Sequence, residues 1–407
     1  MSDAATDTLA DQSFQAGLQI AARIRSHVLE PLKSDFVGKD EVIDLLGVCL
    51  VSGENLFLLG PPGTAKSAIV RGLAARLDGR YFDYLLTRFT EPSELFGPFD
   101  IRKLRDGELL TNTEGMLPEG EIVFLDELLN ANSAILNSLL MALNEKVFRR
   151  GRETRNLGFV LTVGASNRLP EDEALTALFD RFLLRVQSNN VPDEQLANVL
   201  QAGWHLQAKG QSGEVPDRVI SVDEVRQLQS CIAKVDVSGT RNDYVNLIHR
   251  LRHAGIDVSD RRAVRVQRLA AASALMCGRS YTDVSDLWVL RYIWDTLEQV
   301  EVLANIVDEV VSRTSDSSED SPTIAIHPRA AGADAPNAED LSRDLSQLES
   351  QIASAANDKA KRSWIADRLS ILASRCEWVA NEESRTFLRD RIQQLMTQLN
   401  NTGEAVS

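Results

Sequence analysis

The sequence predicts an α/β fold: a parallel, doubly wound sheet, then an all-helical subdomain and a small helical tail. Three observations carry that expectation. Short apolar runs ending in glycine or acid alternate with helical patterns up to about Asp193. From there to Val311 only helical spacing remains. Between Thr314 and Ala338 the composition shifts to Ser, Asp, Pro and Ala, and helical spacing returns after it.

Taken in order, Leu18, Ile20, Ile24, Val28, Leu29 and Leu32 sit at helical spacing and predict a first helix to about Asp35. Phe36-Val37-Gly38-Lys39 breaks it, and Glu41 to Val51 reads as the next. Asn55-Leu56-Phe57-Leu58-Leu59 is a buried strand. Tyr81–Leu86, Glu121–Leu125, Phe159–Ala165 and Phe182–Val186 read as further strands, with a helix over Ala134–Leu143. Ser221–Lys234, Asn242–Ala254, Arg261–Cys277 and Val284–Val300 are the helices of the second part. Thr314–Ala338 reads as a flexible acidic linker. Leu341, Leu345, Leu348, Ile352, Trp364, Ile365, Leu369, Leu372, Phe387, Leu388, Ile392, Leu395 and Leu399 then space a tail of two or three helices, small enough that docking on a partner and a loosely folded appendage both stand open. The division is 1–200 core, 201–312 helical lid, 313–340 linker and 341–407 tail.

Composition excludes several classes. With 407 residues, 43% hydrophobic and 25% charged, the chain is ordinary globular protein. No apolar stretch is long enough to span a bilayer. The polar, acidic N-terminus does not read as a signal peptide. Cys49, Cys231, Cys277 and Cys376 form no CxxC pair, so reduced thiols and a cytoplasmic location are expected. The net charge of −15, from 44 Lys+Arg against 59 Asp+Glu, argues against nucleic acid as a partner. His249 and His253 share a helix face but lack a third metal ligand. Trp288, Tyr292 and Trp294 read as core or subunit interface.

One motif carries chemistry. Gly60-Pro61-Pro62-Gly63-Thr64-Ala65-Lys66-Ser67 fits G-x-x-x-x-G-K-[ST], between a buried strand and a helix. Glycines there let backbone N–H groups turn inward around a phosphate, and the helix N-terminus adds positive dipole. Lys66 would reach the β- and γ-phosphates of ATP, and the Ser67 hydroxyl would ligate Mg²⁺. Ile122-Val123-Phe124-Leu125 then delivers Asp126 and Glu127 at a strand's carboxyl end, where parallel sheets bind ligands. Downstream of a phosphate loop, Asp126 is expected to hold Mg²⁺ through water and Glu127 to deprotonate the attacking water. Alone, such a pair can equally cap the next helix.

These residues resemble the AAA+ ATPases of the MoxR family, nearest its RavA branch, over roughly Leu18 to Val311. Besides the phosphate loop, the resemblance rests on Leu86-Thr87-Arg88-Phe89 through Glu94-Leu95-Phe96-Gly97-Pro98, and on Phe124–Glu127 followed by Asn130-Ala131-Asn132-Ser133-Ala134-Ile135-Leu136-Asn137. It implies an AAA+ P-loop core with a helical lid, and Val37 and Gly38 near the adenine. Gly164-Ala165-Ser166-Asn167 is similar to sensor 1, with Asn167 bonding the attacking water or the γ-phosphate. Asp180-Arg181-Phe182 is similar to the arginine-finger position; Arg185 is the alternative, and a plain surface ion pair remains open for Arg181. Ser259-Asp260-Arg261-Arg262 looks like sensor 2, with Arg261 reaching the γ-phosphate from the lid and Arg262 as the alternative. This chain has Asp260 where the family usually has proline.

The resemblance further implies a substrate-touching element at Asp100–Gly120, around Leu109-Leu110-Thr111 and Gly115-Met116-Leu117-Pro118; a second candidate hairpin, Val147–Arg152, is locally basic and suits an acidic partner or a neighbouring subunit, and a solvated loop stays open for both. It implies a closed ring of this chain, a hexamer, working with a partner that carries a von Willebrand factor A (VWA) domain to remodel or mature a protein or metalloenzyme complex. The client is not named by these residues. Two other classes stand beside this one: a ring motor acting on DNA, and a nucleotide-gated interaction module of low turnover.

Overall fold

The computed structural model describes residues 2–105, 110–150, 153–212, 217–312, 325–331, 338–352, 359–376, 379 and 382–404. Helix α1 (Ser2–Arg23) continues through a π turn, Ile24–Leu29, into α2 (Glu30–Asp35), and α3 (Asp40–Ser52) follows the predicted break. Strand β1 (Leu56–Leu59), helix α4 (Lys66–Arg76), the short β2 (Leu77–Asp78) and β3 (Tyr81–Leu85) come next. After α5 (Pro92–Phe96) and α6 (Ile101–Arg105), the chain forms β4 (Ile122–Asp126), α7 (Ser133–Glu145), the hairpin β5 (Val147–Arg150) and β6 (Glu153–Asn156), β7 (Leu161–Ser166), α8 (Glu173–Phe179) and β8 (Leu184–Gln187).

The central sheet is fully parallel, in the order β3-β4-β7-β1-β8. Strands β1, β4 and β7 are short runs buried on both faces, as the sequence pattern requires of a sheet covered by helices, while the edge strand β3 is partly exposed. Parallel strands all end on one side, and β7 lies between β1 and β4. The segments leaving these three strands therefore emerge side by side.

The second part holds α9 (Leu196–Ser212), the short β9 (Ile220–Ser221) paired with β2, α10 (Val222–Cys231), α11 (Arg241–His253), α12 (Asp260–Met276) and α13 (Glu298–Ser312). Ser259 caps α12 by accepting from the Arg262 N–H, and α12 packs along α3. The expected single helix Val284–Val300 is instead a 3₁₀ segment, Val284–Tyr292, separated from α13 by a break. At the break, the carbonyls of Ile293 and Trp294 accept hydrogen bonds from Arg185, and Ile293 also from Arg262. Those guanidiniums replace the backbone donors that a continuous helix would need.

The two candidate hairpins of the core are one unit. Phe99 bridges Thr111 in antiparallel fashion, Phe96 stacks on Phe148 at 5.2 Å, and Arg150 lies 3.9 Å over the Phe99 ring. Arg150 also donates to the Gly97 carbonyl (2.7 Å), and Glu153 accepts from the Thr111 N–H (3.1 Å). Leu109, Gly151 and Arg152 lie outside the described residues.

Within the stretch read as a flexible linker, residues 325–331 are packed instead, with a 3₁₀ turn at Pro328–Ala331. The Ala325 carbonyl accepts from Arg279 (2.9 Å), the His327 ring stacks on Trp288 at 4.4 Å, and Arg329 Nε donates to Asp44 (3.0 Å). Arg291 donates to the Arg329 carbonyl. Asp44 also pairs with Lys33 at 2.7 Å. This strap ties the lid (Arg279, Trp288, Arg291) to α2 and α3 of the core. Burial pushes the His327 imidazole down to about 3; Asp44 opposes that shift, while Lys33, Arg329 and Arg25 add to it. Between pH 6.5 and about 3 the unfolded chain therefore binds a proton that folded His327 refuses, and stability falls as pH falls. Chemical denaturation of His327→Phe, which keeps the ring stack, should show a smaller loss between pH 7 and pH 5 than the unmodified chain. Equal losses would assign the acid sensitivity elsewhere.

The tail is three helices, α14 (Ala338–Ile352), α15 (Lys359–Cys376) and α16 (Glu382–Glu404). They bury a core of their own, including Leu345, Ile365, Leu369 and Leu395. Phe387, read with the tail's apolar positions, is exposed instead. Among the described residues, no helix is long and apolar enough to cross a membrane.

Candidate functional site

The phosphate loop leaves β1 at its carboxyl end. The Gly60 N–H donates to the Ser166 carbonyl (3.0 Å), which ties the loop to β7. A Cβ on Gly60 would stand 2.2 Å from the Ser188 carbonyl oxygen, so no other residue fits there. Gly63 and Ala65 both take positive φ, +84° and +64°, and Ala65 begins α4. Thr64 Oγ1 donates to the Pro61 carbonyl (3.0 Å) and Ser188 Oγ to the Thr64 carbonyl (3.3 Å). Pro61 and Pro62 are exposed on the rim, and Ser67 lies in the first turn of α4.

Lys66 curls over this loop. Its Nζ donates to the carbonyls of Gly60 and Pro61, both at 2.8 Å. Burial lowers its pKa, and Asp126 and Glu127 partly offset that, which places the two carboxylates beside the ammonium. Asp126 ends β4 and accepts the Glu127 N–H at 2.9 Å. Glu127 has φ +48°, a sparsely populated conformation for a non-glycine residue. Burial first, then the charge of Asp126, raises the Glu127 carboxyl; Lys66 and Arg168 oppose this. A carboxyl shifted toward neutral pH is a better proton acceptor for water. Asn167 follows β7 and is exposed, between the loop and the acidic pair.

One residue was missed from sequence. Arg168 donates to Asn130 (3.1 Å) and Glu171 (3.0 Å) and bears on Glu127 electrostatically. Its signal was a cation directly after the strand-end Asn167. Lys39, buried, donates to the Asn189 carbonyl, and burial together with Lys66 lowers its pKa.

Beside the loop lies a cavity of about 400 Å³. Core residues Gly38, Lys39 and Val42 line it with the segment 186–192, and the lid closes it with Arg291, Tyr292, Trp294, Val300 and Ala304. Gly38 has φ +72° and its backbone packs against Val191 and Gln195. Of the pair Val37 and Gly38, Gly38 lines this cavity. Trp288, Tyr292 and Trp294 are all core, as expected, and Tyr292 and Trp294 also wall this cavity. The Tyr292 hydroxyl donates to Glu41 across the core–lid boundary at 2.7 Å.

The expected arginines lie elsewhere. The Arg181 carbonyl accepts from Asn55 Nδ2 (2.9 Å) at the amino end of β1, and its guanidinium donates to Asn144 (2.7 Å). The four residues of β1 separate Asn55 from Gly60, so that end lies roughly 16 Å along the strand from the phosphate loop. Burial and then Arg261 lower the Arg181 pKa, so those two cations are neighbours. Arg265 pairs with Glu54, and Arg268 donates to the Ser52 carbonyl (3.1 Å), which fixes α12 at the same end. Packed on α3, α12 therefore holds Arg261 beside Arg181, at the end of the sheet away from the phosphate loop. The alternatives are also located. Arg185 is buried over Phe179 with Asp295 and backbone carbonyls, its pKa lowered to about 10 by burial and then by Arg262. Arg262 pairs with Asp295 at 2.9 Å. Both are committed to the hinge at Ile293–Asp295.

The donor set suits a nucleotide with a hard cation: a cradle of backbone N–H groups, one lysine, and hydroxyl and carboxylate oxygens from Ser67 and Asp126. Among the described residues, no cluster of three or more His, Cys, Asp or Glu forms a separate metal site.

Comparison with known proteins agrees with this geometry. The profile of a MoxR domain found in MoxR–vWA–beta-propeller ternary systems matches residues 22–230, and that of an AAA lid domain matches residues 241–307. Two uncharacterised proteins of Methanocaldococcus jannaschii are 35% and 32% identical, over 66% and 70% of this chain and 70% and 74% of their own. The chaperone MoxR1 of Mycobacterium tuberculosis is 24% identical over 72% of this chain and 80% of its own. In fold, a candidate ATPase from Cytophaga hutchinsonii superposes with a TM-score of 0.60 at 20% identity, covering 74% of this chain and 97% of its own. With an αβα core carrying the phosphate loop, a helical lid and a matching MoxR profile over half its length, the chain belongs to the MoxR family of AAA+ ATPases.

Proposed function

We propose that this chain hydrolyses ATP with Mg²⁺ in a closed ring, a hexamer, and uses the cycle to remodel or mature a protein or metalloenzyme complex with a VWA-domain partner. One observation carries the reading. Lys66, Asp126, Glu127 and Asn167 gather at the carboxyl end of the sheet, while Arg181 and Arg261 gather at the other. A site split in this way becomes whole only when two copies meet head to tail, and such contacts close into rings.

The steps follow from the residues. ATP lies with its phosphates on the loop and its base in the cavity beside Gly38. Ser67, and Asp126 through water, would hold Mg²⁺, which would supply neutralisation of phosphate charge. Glu127 takes the proton of the attacking water as the water oxygen bonds the γ-phosphorus and the bond to the β-phosphate oxygen breaks, releasing ADP. Asn167 holds that water or the γ-phosphate. Arg181 and Arg261 of a neighbouring copy stabilise charge on the transferring group. Because Tyr292 and Trp294 of the lid wall the base cavity, nucleotide exchange changes the core–lid angle. The fused insert and β5–β6 hairpin is the element offered to the client. The stretches 86–98 and 124–137 favour a place near RavA, and four buried free thiols suit the cytoplasm.

The test is turnover against protein concentration, with assembly mass read by sedimentation in Mg-ATP. Hydrolysis per chain should rise with concentration and track the assembled fraction. Full turnover by a monomer would sink the reading.

A further inference from the structure

One helix leaves an apolar stripe in water. On α9, Leu196, Leu200 and Trp204 are 50%, 66% and 75% exposed. Four-residue spacing keeps all three on one face. Contiguous exposure of this kind marks a contact surface rather than scatter. The stripe begins at the nucleotide site: Pro192 lines the cavity, and Gln195 closes on Gly38. Asp193 and Glu194, both exposed, stand at that end.

The arginine end of the molecule has matching features. Val264 is 69% exposed on α12, one turn from both Arg261 and Arg268. Arg261 is exposed and makes no hydrogen bond or ion pair among the described residues. An apolar stripe with acid at its end thus faces one half-site, and an apolar residue framed by arginines marks the other.

We infer that the α9 stripe is a docking surface for a second copy of this chain, which seats it on the Val264 face of α12. The inference rests on the reading that the nucleotide site is completed between copies, and it names the surface that aligns them. Seating the stripe there carries Arg261 and Arg181 of one copy toward the phosphate loop of the next. Opposite charges, Asp193 and Glu194 against the exposed Arg268 beside Val264, set the register.

The test uses the full chain. Trp204→Asp alters an exposed side chain, so folding and Mg-ATP binding should stay within about twofold of the unmodified protein. The concentration for assembly in Mg-ATP should rise by at least about tenfold, and hydrolysis per chain should recover at high protein. Mixing Trp204→Cys with Val264→Cys chains should yield an interchain disulfide under mild oxidation, since the four native cysteines are buried. Assembly of Trp204→Asp at the unmodified concentration, or no crosslink in an assembled mixture, overturns the surface and assigns the stripe to another partner. An unmodified chain that turns over as a monomer instead overturns the ring reading, and this surface with it.

Discussion

Glu127→Gln should bind ATP as tightly as the unmodified chain and hydrolyse it at least about 100-fold more slowly, the range expected for removal of a general base. The substitution is nearly isosteric, so the unusual φ of +48° and the Asp126 hydrogen bond to its N–H are kept. What changes is the ability to accept a proton. The raised pKa of Glu127 adds a signature. As pH falls, the unmodified enzyme should lose hydrolysis through the elevated carboxyl pKa, because the protonated acid cannot act as base. The variant's residual rate should lack that limb. Measurement is steady-state phosphate release against pH, with nucleotide binding measured separately. Hydrolysis at the normal rate would remove Glu127 from the base role.

Arg181→Ala should bind nucleotide normally and lose roughly 10³-fold in hydrolysis, the lower range for loss of an arginine finger. Lys66→Ala should lose nucleotide binding itself. The mixture is the informative case. In an equimolar mixed ring, about one interface in four sets an intact phosphate loop against an intact Arg181, so about a quarter of the activity should return. Neither variant alone supplies such an interface. A mixture as inactive as its components would mean that Arg181 does not act across the boundary. Arg261→Ala in the same assay decides whether the second cation acts with it.

The core of the site was legible because its chemistry is bound to local pattern. A buried strand, a glycine-rich turn and a helix start lie within a dozen or so residues, and no other arrangement satisfies Gly60 and Lys66 together. Asp126–Glu127 was legible for the same reason. The arginines were legible as residues but not as places. Sequence puts Arg261 at the start of a helix; only the packing of α12 on α3 decides which end of the sheet that start faces. Arg168 belongs to no spaced motif and emerges only when strands are side by side. The 3₁₀ segment at Val284 was read as helix because its apolar residues run together over Leu287–Leu290, which leaves no periodicity to measure. The strap was hidden by averaging: Ile326-His327-Pro328-Arg329 is a short anchor inside a long polar stretch, and its partners are far away in sequence.

That strap sets a leash length. Its last residue, Ala331, is seven residues before Ala338, where the tail bundle begins. A fully extended chain of that length reaches about 25 Å. Whatever the tail grips is thus held near the core–lid joint at a high effective concentration, whether or not it touches the ATPase core. Moving the lid also moves the leash's anchor, since Arg279, Trp288 and Arg291 hold one side of the strap and Asp44 the other.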